Sequence, residues 1–429
     1  MHQSFWHRLP NGLRVLTLEM PHLNSLAVEL FVRDGSRWEG EETNGLSHLV
    51  EHMLFNGNAS YRLGRDLALA VAELGGAMNG EVGQEMAEYS LWTRPQHLDR
   101  SLEVFASMFT EPLFDEEELE LEKRIILAEI GEQPSGSTLD QLLWPNHPLS
   151  FPVPGKRKTV VSFTREQVVT HYRRFYVPDN LVLVVAGPVS HRHVERLAAR
   201  LFGRLSGRFR ERYVSAPAPA PVPQTRFTTL RDITSYQVSL AYPFFPRTNP
   251  DRAAYWLLNT ILGTSDTSRL FLKLREELGL VYSVDSHTAL WSDTGVIEIE
   301  FKVARSRLRR ALAQVLDQTA CLRSERVSQA EMDRAKEWRI ASLESLLDDP
   351  DGLARRYAAG TLFGDYLALE DLAELTAAVT PEDILGIAQA AFREEGSCLL
   401  IQGPELQTAG RAELRALFRK RRGFGRGKR

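Results

Sequence analysis

His48-Leu49-Val50-Glu51-His52 is the stretch on which the reading of this chain turns. His48 and His52 stand four residues apart, so on an α-helix their rings project from one face, one above the other. Two imidazoles so placed fill two corners of a tetrahedral zinc site. Glu51 lies beside them, where it can take a proton from a metal-bound water. The same five residues also fit a helix end carrying two solvated histidines. Leu46, Leu49, Val50, Met53 and Leu54 form an apolar stripe at helical spacing, so this helix is expected to be largely buried. Burying His, Glu and His without partners is costly, and a metal removes that cost.

Gly35-Ser36-Arg37-Trp38-Glu39 and Asn44-Gly45-Leu46-Ser47 lead into the motif, and Met53-Leu54-Phe55-Asn56-Gly57 follow it. With this flanking sequence the inverted H-x-x-E-H motif resembles the pitrilysin/insulinase (M16) metallopeptidases, in particular the short mitochondrial-processing-peptidase-like bacterial members, M16B. The resemblance runs from Leu9-Pro10-Asn11-Gly12-Leu13 to about Gly403 and includes Phe175-Tyr176-Val177-Pro178-Asp179-Asn180-Leu181. It implies one zinc per chain, with a third ligand from a later helix about 77 residues past the second histidine. That count lands on Glu129, with Glu122 two helical turns earlier as a supporting carboxylate. Without the resemblance Glu122, Glu129 and Glu132 are equivalent, because residues 115–132 are acid-rich and also read as a solvated helix face. Ile125, Ile126 and Ile130 are expected to anchor this helix to the core.

The implied chemistry is peptide hydrolysis. His48, His52 and Glu129 hold the metal, whose bound water loses a proton to Glu51, and the proton then passes to the leaving amine. The resemblance also assigns substrate-holding roles to Arg275 and Tyr282, within Ser268 to Ser283. Taken alone, Arg275 reads equally as a surface ion pair and Tyr282 as core packing. Peptide is expected to add as a strand along Leu74-Gly75-Gly76-Ala77-Met78-Asn79-Gly80, a segment continuing to Tyr89. Asn79 fits the family pattern. Gly80 stands where alanine is usual and Val82 where threonine is usual, which bears on cleavage preference.

At 429 residues the chain exceeds one typical core. Ala216-Pro217-Ala218-Pro219-Ala220-Pro221-Val222-Pro223 reads as a semi-rigid extended linker between nearly equal halves. At an offset of 216, Thr164, Glu166, Leu183, Gly187, Pro188, Leu201 and Phe202 recur as Thr380, Glu382, Leu399, Gly403, Pro404, Leu417 and Phe418. The expected organisation is a metal-binding catalytic domain over 1–214, a linker over 215–223, a homologous domain without the motif over 224–410, and a helix end with a basic disordered tail over 411–429. Strands are expected at Leu13 to Glu19, Ser25 to Val32, Leu181 to Ala186, Gln237 to Tyr242 and Gly295 to Val303. Helices are expected at Leu98 to Met108, Glu116 to Gly131, Ser306 to Leu322 and Gln329 to Leu347. The fold class that the resemblance implies is α+β: two homologous halves, each an antiparallel-rich sheet with helices packed on one face, of the LuxS/MPP-like metallohydrolase type.

A net charge of −4 argues against a general nucleic-acid binder, the Gly-spaced basic tail from Arg419 being the one local exception. No apolar run is long enough to span a membrane or to serve as a signal peptide. Cys321 and Cys398 are isolated and suit a reducing cytoplasm, in keeping with a prokaryotic cytoplasmic protein. His147, and the pair His191 and His193, are read as structural. The leading function is a zinc endopeptidase for short or unfolded peptides, acting as a homodimer or paired with a related M16 chain. The alternatives are a heterodimeric catalytic subunit inactive without its partner (as in leader-peptide removal) and a non-catalytic assembly subunit. The short stretch Leu262 to Ser268 counts against a regulatory partner with a long glycine-rich loop.

Overall fold

The computed structural model describes residues 3–132 and 138–420, so residues 421–429 of the basic tail lie outside the described residues. The chain forms two compact units. The first comprises Met1–Pro134, Phe151–Val214 and Glu344–Leu367; the second comprises Ser135–Ser150, Ser215–Leu343 and Ala368–Arg429.

The first unit is built on a six-stranded sheet in the order β1-β2-β6-β3-β5-β4. Its strands are β1 (Gln3–Arg8), β2 (Arg14–Glu19), β3 (Leu26–Val32), β4 (Ala77–Val82), β5 (Ala87–Thr93) and β6 (Leu181–Gly187). The second unit has a five-stranded sheet in the order β7-β11-β8-β10-β9. These strands are β7 (Gln224–Thr229), β8 (Ser235–Phe244), β9 (Val281–Leu290), β10 (Gly295–Ala304) and β11 (Cys398–Gly403). Setting β1 aside, the two sheets share one topology: β2 pairs with β6 in parallel as β7 does with β11, and the remaining pairings are antiparallel. The offset of 216 survives in three dimensions. Gly187 and Gly403 both close the central parallel strand. Thr164 and Thr380 both cap the helix before it, each accepting from the backbone N–H three residues on. The expected strands and helices are present, with ends shifted by one to three residues. Residues 216–223 carry neither helix nor strand, and within the second unit the Ala216 N–H donates to Asp293 at 2.8 Å.

Two segments depart from the contiguous halves read in the sequence, and both follow from strand composition. β3 (LAVELFV) and β6 (LVLVVAG) are buried at every position, so both faces of that sheet are covered. Leu183, Val185, Val28 and Leu30 face the core shared with the helices Leu46–Phe55, Leu98–Thr110 and Arg165–Phe175. The other face is covered by the helix Pro350–Phe363, from the second half of the sequence. There the Arg14 guanidinium donates to the Thr361 carbonyl at 3.1 Å. Conversely Leu139, Leu142, Leu143 and Trp144, from the first half, pack on Ala241, Val296, Cys398 and Leu400 of the second sheet. The helices expected on one face of each sheet are thus joined by an exchanged segment on the other.

The helix Pro350–Phe363 brings an unusual set of acids together. Glu29 is wholly buried, and burial, with the charges of Asp351 and Glu88 adding to it, pushes its carboxyl well above the usual range. Glu88 is pushed up to about 7 by burial, despite ion pairing with Arg355 at 2.8 Å, and Asp351 is raised as well. Arg355 also reaches Glu81 on the edge strand, at 2.9 Å. A carboxyl whose folded pKa is raised holds its proton longer when folded than when unfolded. Stability is therefore greatest below the unfolded value of 4.5 and falls as pH rises toward about 7. Each such group contributes at most about 1.4 kcal/mol per pH unit, less after solvent screening. In metal-free protein, Glu88→Gln is expected to flatten the fall of the thermal midpoint across that window. An unchanged slope in the variant would refute the assignment.

Candidate metal centre

The motif lies on the helix Leu46–Phe55, whose stripe Leu46, Leu49, Val50, Met53 and Leu54 is buried as its spacing requires. The helix begins at Gly45, in the left-handed region at φ +99° and without a side-chain cap. A Cβ there would stand 2.7 Å from Gly155 Cα, so only glycine fits. The missing cap comes from outside the helix. The buried Glu39 carboxylate accepts from the Gly45 N–H at 2.8 Å, the Ser47 N–H at 2.7 Å and the Asn44 amide at 3.0 Å. A carboxylate facing a helix N-terminus also meets its positive end. Ser47 is tied further to Asp34, which in turn pairs with His171 at 2.9 Å.

The third donor comes from the helix Glu116–Glu132. Leu119, Glu122 and Ile126 fall on its buried side and Ile130 is partly buried, whereas Ile125 is 40% exposed. Ile125 was expected to anchor the helix, but it is turned about 100° from Ile126 and so faces away from the core. Glu129 lies one turn past Ile126 on the side facing the motif. The Glu132 side chain lies outside the described residues.

His48, His52 and Glu129 each present one ligand atom, all within 4.8 Å of one another. His48 Nε2 and His52 Nε2 both lie 3.9 Å from the Glu129 carboxylate, each facing a different oxygen. Ligands about 2.0–2.1 Å from a tetrahedral zinc stand roughly 3.3 Å apart, so small inward movements close the set. The surroundings fit that donor set. Glu122 takes the Nδ1 of His52 at 2.7 Å, which leaves Nε2 free for a metal. Asn56, one turn beyond His52, donates to the other Glu122 oxygen at 2.7 Å and to the His52 carbonyl at 3.2 Å.

Charge in the site is arranged to accept a cation. Burial, with the neighbouring His52, lowers His48 to about 4, leaving it a neutral imidazole. Burial alone would lower His52, but the Glu122 hydrogen bond and the charges of Glu51, Glu122 and Glu129 raise it. Glu51 is only 8% exposed, and burial raises it to about 7, with Glu129 and Glu122 adding to the shift and His52 opposing it. The two hydrogen bonds on Glu122 outweigh its burial and hold it below the usual range. Three carboxyls thus surround two histidines in a half-buried pocket, an excess of negative charge that a divalent cation neutralises.

The strand β4 runs beside the motif helix at the edge of the first sheet, paired only to β5 within that sheet. Asn79 is exposed on it, and Gly80 lies against Glu51. Arg275 and Tyr282 belong to the second unit. Arg275, on the short helix Phe271–Glu277, stacks over the Phe271 ring at 4.8 Å and is half exposed. Tyr282, on the edge strand β9, is 83% exposed, which excludes core packing. His147 is buried, hydrogen-bonded to the Ser215 carbonyl at 3.1 Å, and His191 contacts Thr17 at 2.9 Å where its helix starts. Glu39 and Asn56 were visible in the sequence without a role. A helix opening at glycine needs an acceptor from elsewhere, and an Asn four residues past a ligand histidine shares its face; these are the signals that point to them.

Two helix-borne imidazoles, a carboxylate from a second helix and a further carboxylate beside them define a candidate mononuclear metal centre with an open side. Residues 14–144 match the family described as Insulinase (Peptidase family M16), and residues 162–337 match Peptidase M16 inactive domain. A Rickettsia felis chain named as an uncharacterized zinc protease is 31% identical over 398 residues, spanning 90% of this chain and 94% of its own. The similarly named YmxG of Bacillus subtilis is 27% identical, spanning 91% and 96%. A protease structure from Helicobacter pylori shares the fold with a TM-score of 0.88 at 21% identity, over 94% of this chain and 100% of that one. A Pseudomonas fluorescens structure described as peptidase M16 inactive domain gives 0.86 at 23% identity, over 94% and 99%. The chain belongs to the M16 peptidase family. Among the described residues no helix is long and apolar enough to cross a membrane.

Proposed function

We propose that this chain is a zinc-dependent endopeptidase of the short M16B type, cleaving short or unfolded peptides in the bacterial cytoplasm within a chamber formed by two chains. The observation that carries the reading is the convergence of His48, His52 and Glu129 beside a buried Glu51. His48, His52 and Glu129 would hold the ion, and Glu122 and Asn56 orient His52. Zinc bound there supplies Lewis acidity toward a water and toward the scissile carbonyl. Glu51 receives a proton as the water attacks and returns it to the leaving nitrogen. Its raised proton affinity suits both halves of that exchange near neutral pH. The open edge of β4 supports binding of an extended peptide through main-chain hydrogen bonds, with Asn79 and Gly80 beside it. Arg275 and Tyr282 are assigned to holding substrate; their exposure supports that role.

The test is cleavage of an unstructured peptide pool by the purified chain, with and without a chelator. Cleavage is expected, and the chelator is expected to abolish it. A zinc-loaded chain that cleaves nothing alone but gains activity with a related M16 chain points to the heterodimeric arrangement. A chain inactive in both settings is a non-catalytic subunit of the same fold.

A further inference from the structure

The two faces of the first sheet differ along the free edge of β4. Gly80 lies on the side of the motif helix, against Glu51 and Phe55. Ala77, Asn79 and Glu81 fall on the opposite face and are exposed. The helix Pro350–Phe363 covers that face over β2, β3 and β6. Toward the edge the cover thins, and Trp92, across from Ala77 on β5, is 45% exposed. Side chains of an added strand therefore have room on this outer face.

Glu81 stands directly across from Glu88 in the β4–β5 register. Like charges so placed repel, and Arg355 answers them. Its Nη2 donates to Glu81 Oε2 at 2.9 Å and to Glu88 at 3.0 Å, and its Nε meets Glu88 at 2.8 Å. Asp351 and the buried Glu29 adjoin the same guanidinium. Burial first, and then Glu81 and Asp351, push the Glu88 carboxyl up to about 7 in spite of Arg355. One guanidinium thus faces four carboxyl groups and does not balance them. Arg355 spends its donors on this pairing, while Glu81 Oε1 has no donor among the described residues.

The geometry points to Glu81 as a specificity-determining residue: a peptide strand added to β4 sets one side chain beside its carboxylate, and lysine or arginine is preferred there. An ammonium or guanidinium takes the open Oε1 while Arg355 keeps Oε2. The assignment rests on β4 being the substrate edge, as proposed above, and adds the chemistry of one subsite. Successive residues of a strand face opposite sides, so the substrate residues next to that one turn away from Glu81. Gly80, level with Glu51, is the neighbour of Glu81, which places this subsite close to the bond cut.

The test walks a single lysine or a single glutamate through an otherwise neutral, unstructured peptide and reads kcat/KM for the zinc-loaded chain. At one position near the cut, and not at the residues on either side of it, lysine is expected to exceed glutamate about three- to tenfold. The ratio should shrink as salt rises. Glu81→Lys should reverse the order at that position, and Glu81→Asp should keep it. Glu81 is exposed, so neither variant disturbs the core. An equal ratio in wild type and Glu81→Lys, a preference for glutamate in wild type, or a lysine effect spread evenly over all positions would overturn the assignment. If the chain cleaves none of the peptides, the peptidase reading fails. Fluorescence anisotropy of the labelled lysine and glutamate peptides then decides the subsite: a binding preference that Glu81→Lys reverses upholds it, and equal or absent binding overturns it.

Discussion

Glu51→Gln is expected to reduce kcat for peptide hydrolysis by at least about 10²–10⁴-fold, the range over which positioned general acid–base groups act. Zinc content should stay at one per chain. Glutamine keeps the shape of the side chain and its contact with Gly80, and none of His48, His52 or Glu129 is altered. What disappears is the acceptor for the water's proton. Because substrate contacts are untouched, KM should change little, and kcat and kcat/KM should fall together, the signature of a group used in the transition state. The variant should also unfold no earlier than wild type near pH 7, since a buried carboxyl is replaced by a neutral amide of equal volume. Steady-state kinetics with metal analysis on one preparation checks both halves. Full activity in Glu51→Gln would remove Glu51 from the mechanism.

The second large effect is expected at Glu129. Glu129→Ala removes one of three donors and the only charged one, so zinc affinity should fall well beyond the 10- to 100-fold typical of losing a group that merely supports a ligand. Glu122→Ala supplies that smaller loss for comparison, because Glu122 holds His52 Nδ1 and not the metal position. Stability offers an independent readout. Zinc at 100 times its dissociation constant raises folding stability by about 2.7 kcal/mol. That increment should be present in wild type, reduced in Glu122→Ala and absent in Glu129→Ala. Without metal, Glu129→Ala should not destabilise the chain, since Glu129 adds to the repulsion that raises Glu51. Thermal unfolding with and without zinc separates these outcomes. If Glu122→Ala were the more damaging of the two, their roles would be reversed.

Local order in the site was legible because each part is written over a few residues. Histidines four apart share a helix face whatever surrounds them, and the apolar stripe that buries that face has the same period. The duplication was legible for a similar reason: an ungapped offset carries capping threonines and strand-closing glycines to the same structural places in both units. Glu129 was a different matter. On its own helix nothing separated it from Glu122; the distinction came from a family likeness, and the two fall in the structure on different partners, one facing both histidine Nε2 atoms and one on His52 Nδ1. Ile125 shows the limit at the scale of one residue, since three isoleucines in a short run cannot all face the core.

The motif helix and the repeat between the two halves could be read along the chain, because helix period and repeat register are properties of residues at fixed spacing. Spacing along the chain did not show which segment covers the second face of each sheet, what caps the motif helix, or which side chain lies against Gly80. Those were decided by tertiary structure. The all-apolar strands β3 and β6 demanded cover on both sides, and that cover came from the far half of the sequence. Glu39 reached the helix start through a turn, and Glu51 and Gly80 meet only when helix and edge strand pack together. Contacts between residues distant in the chain depend on how buried surfaces fit, and spacing along the sequence does not encode that fit.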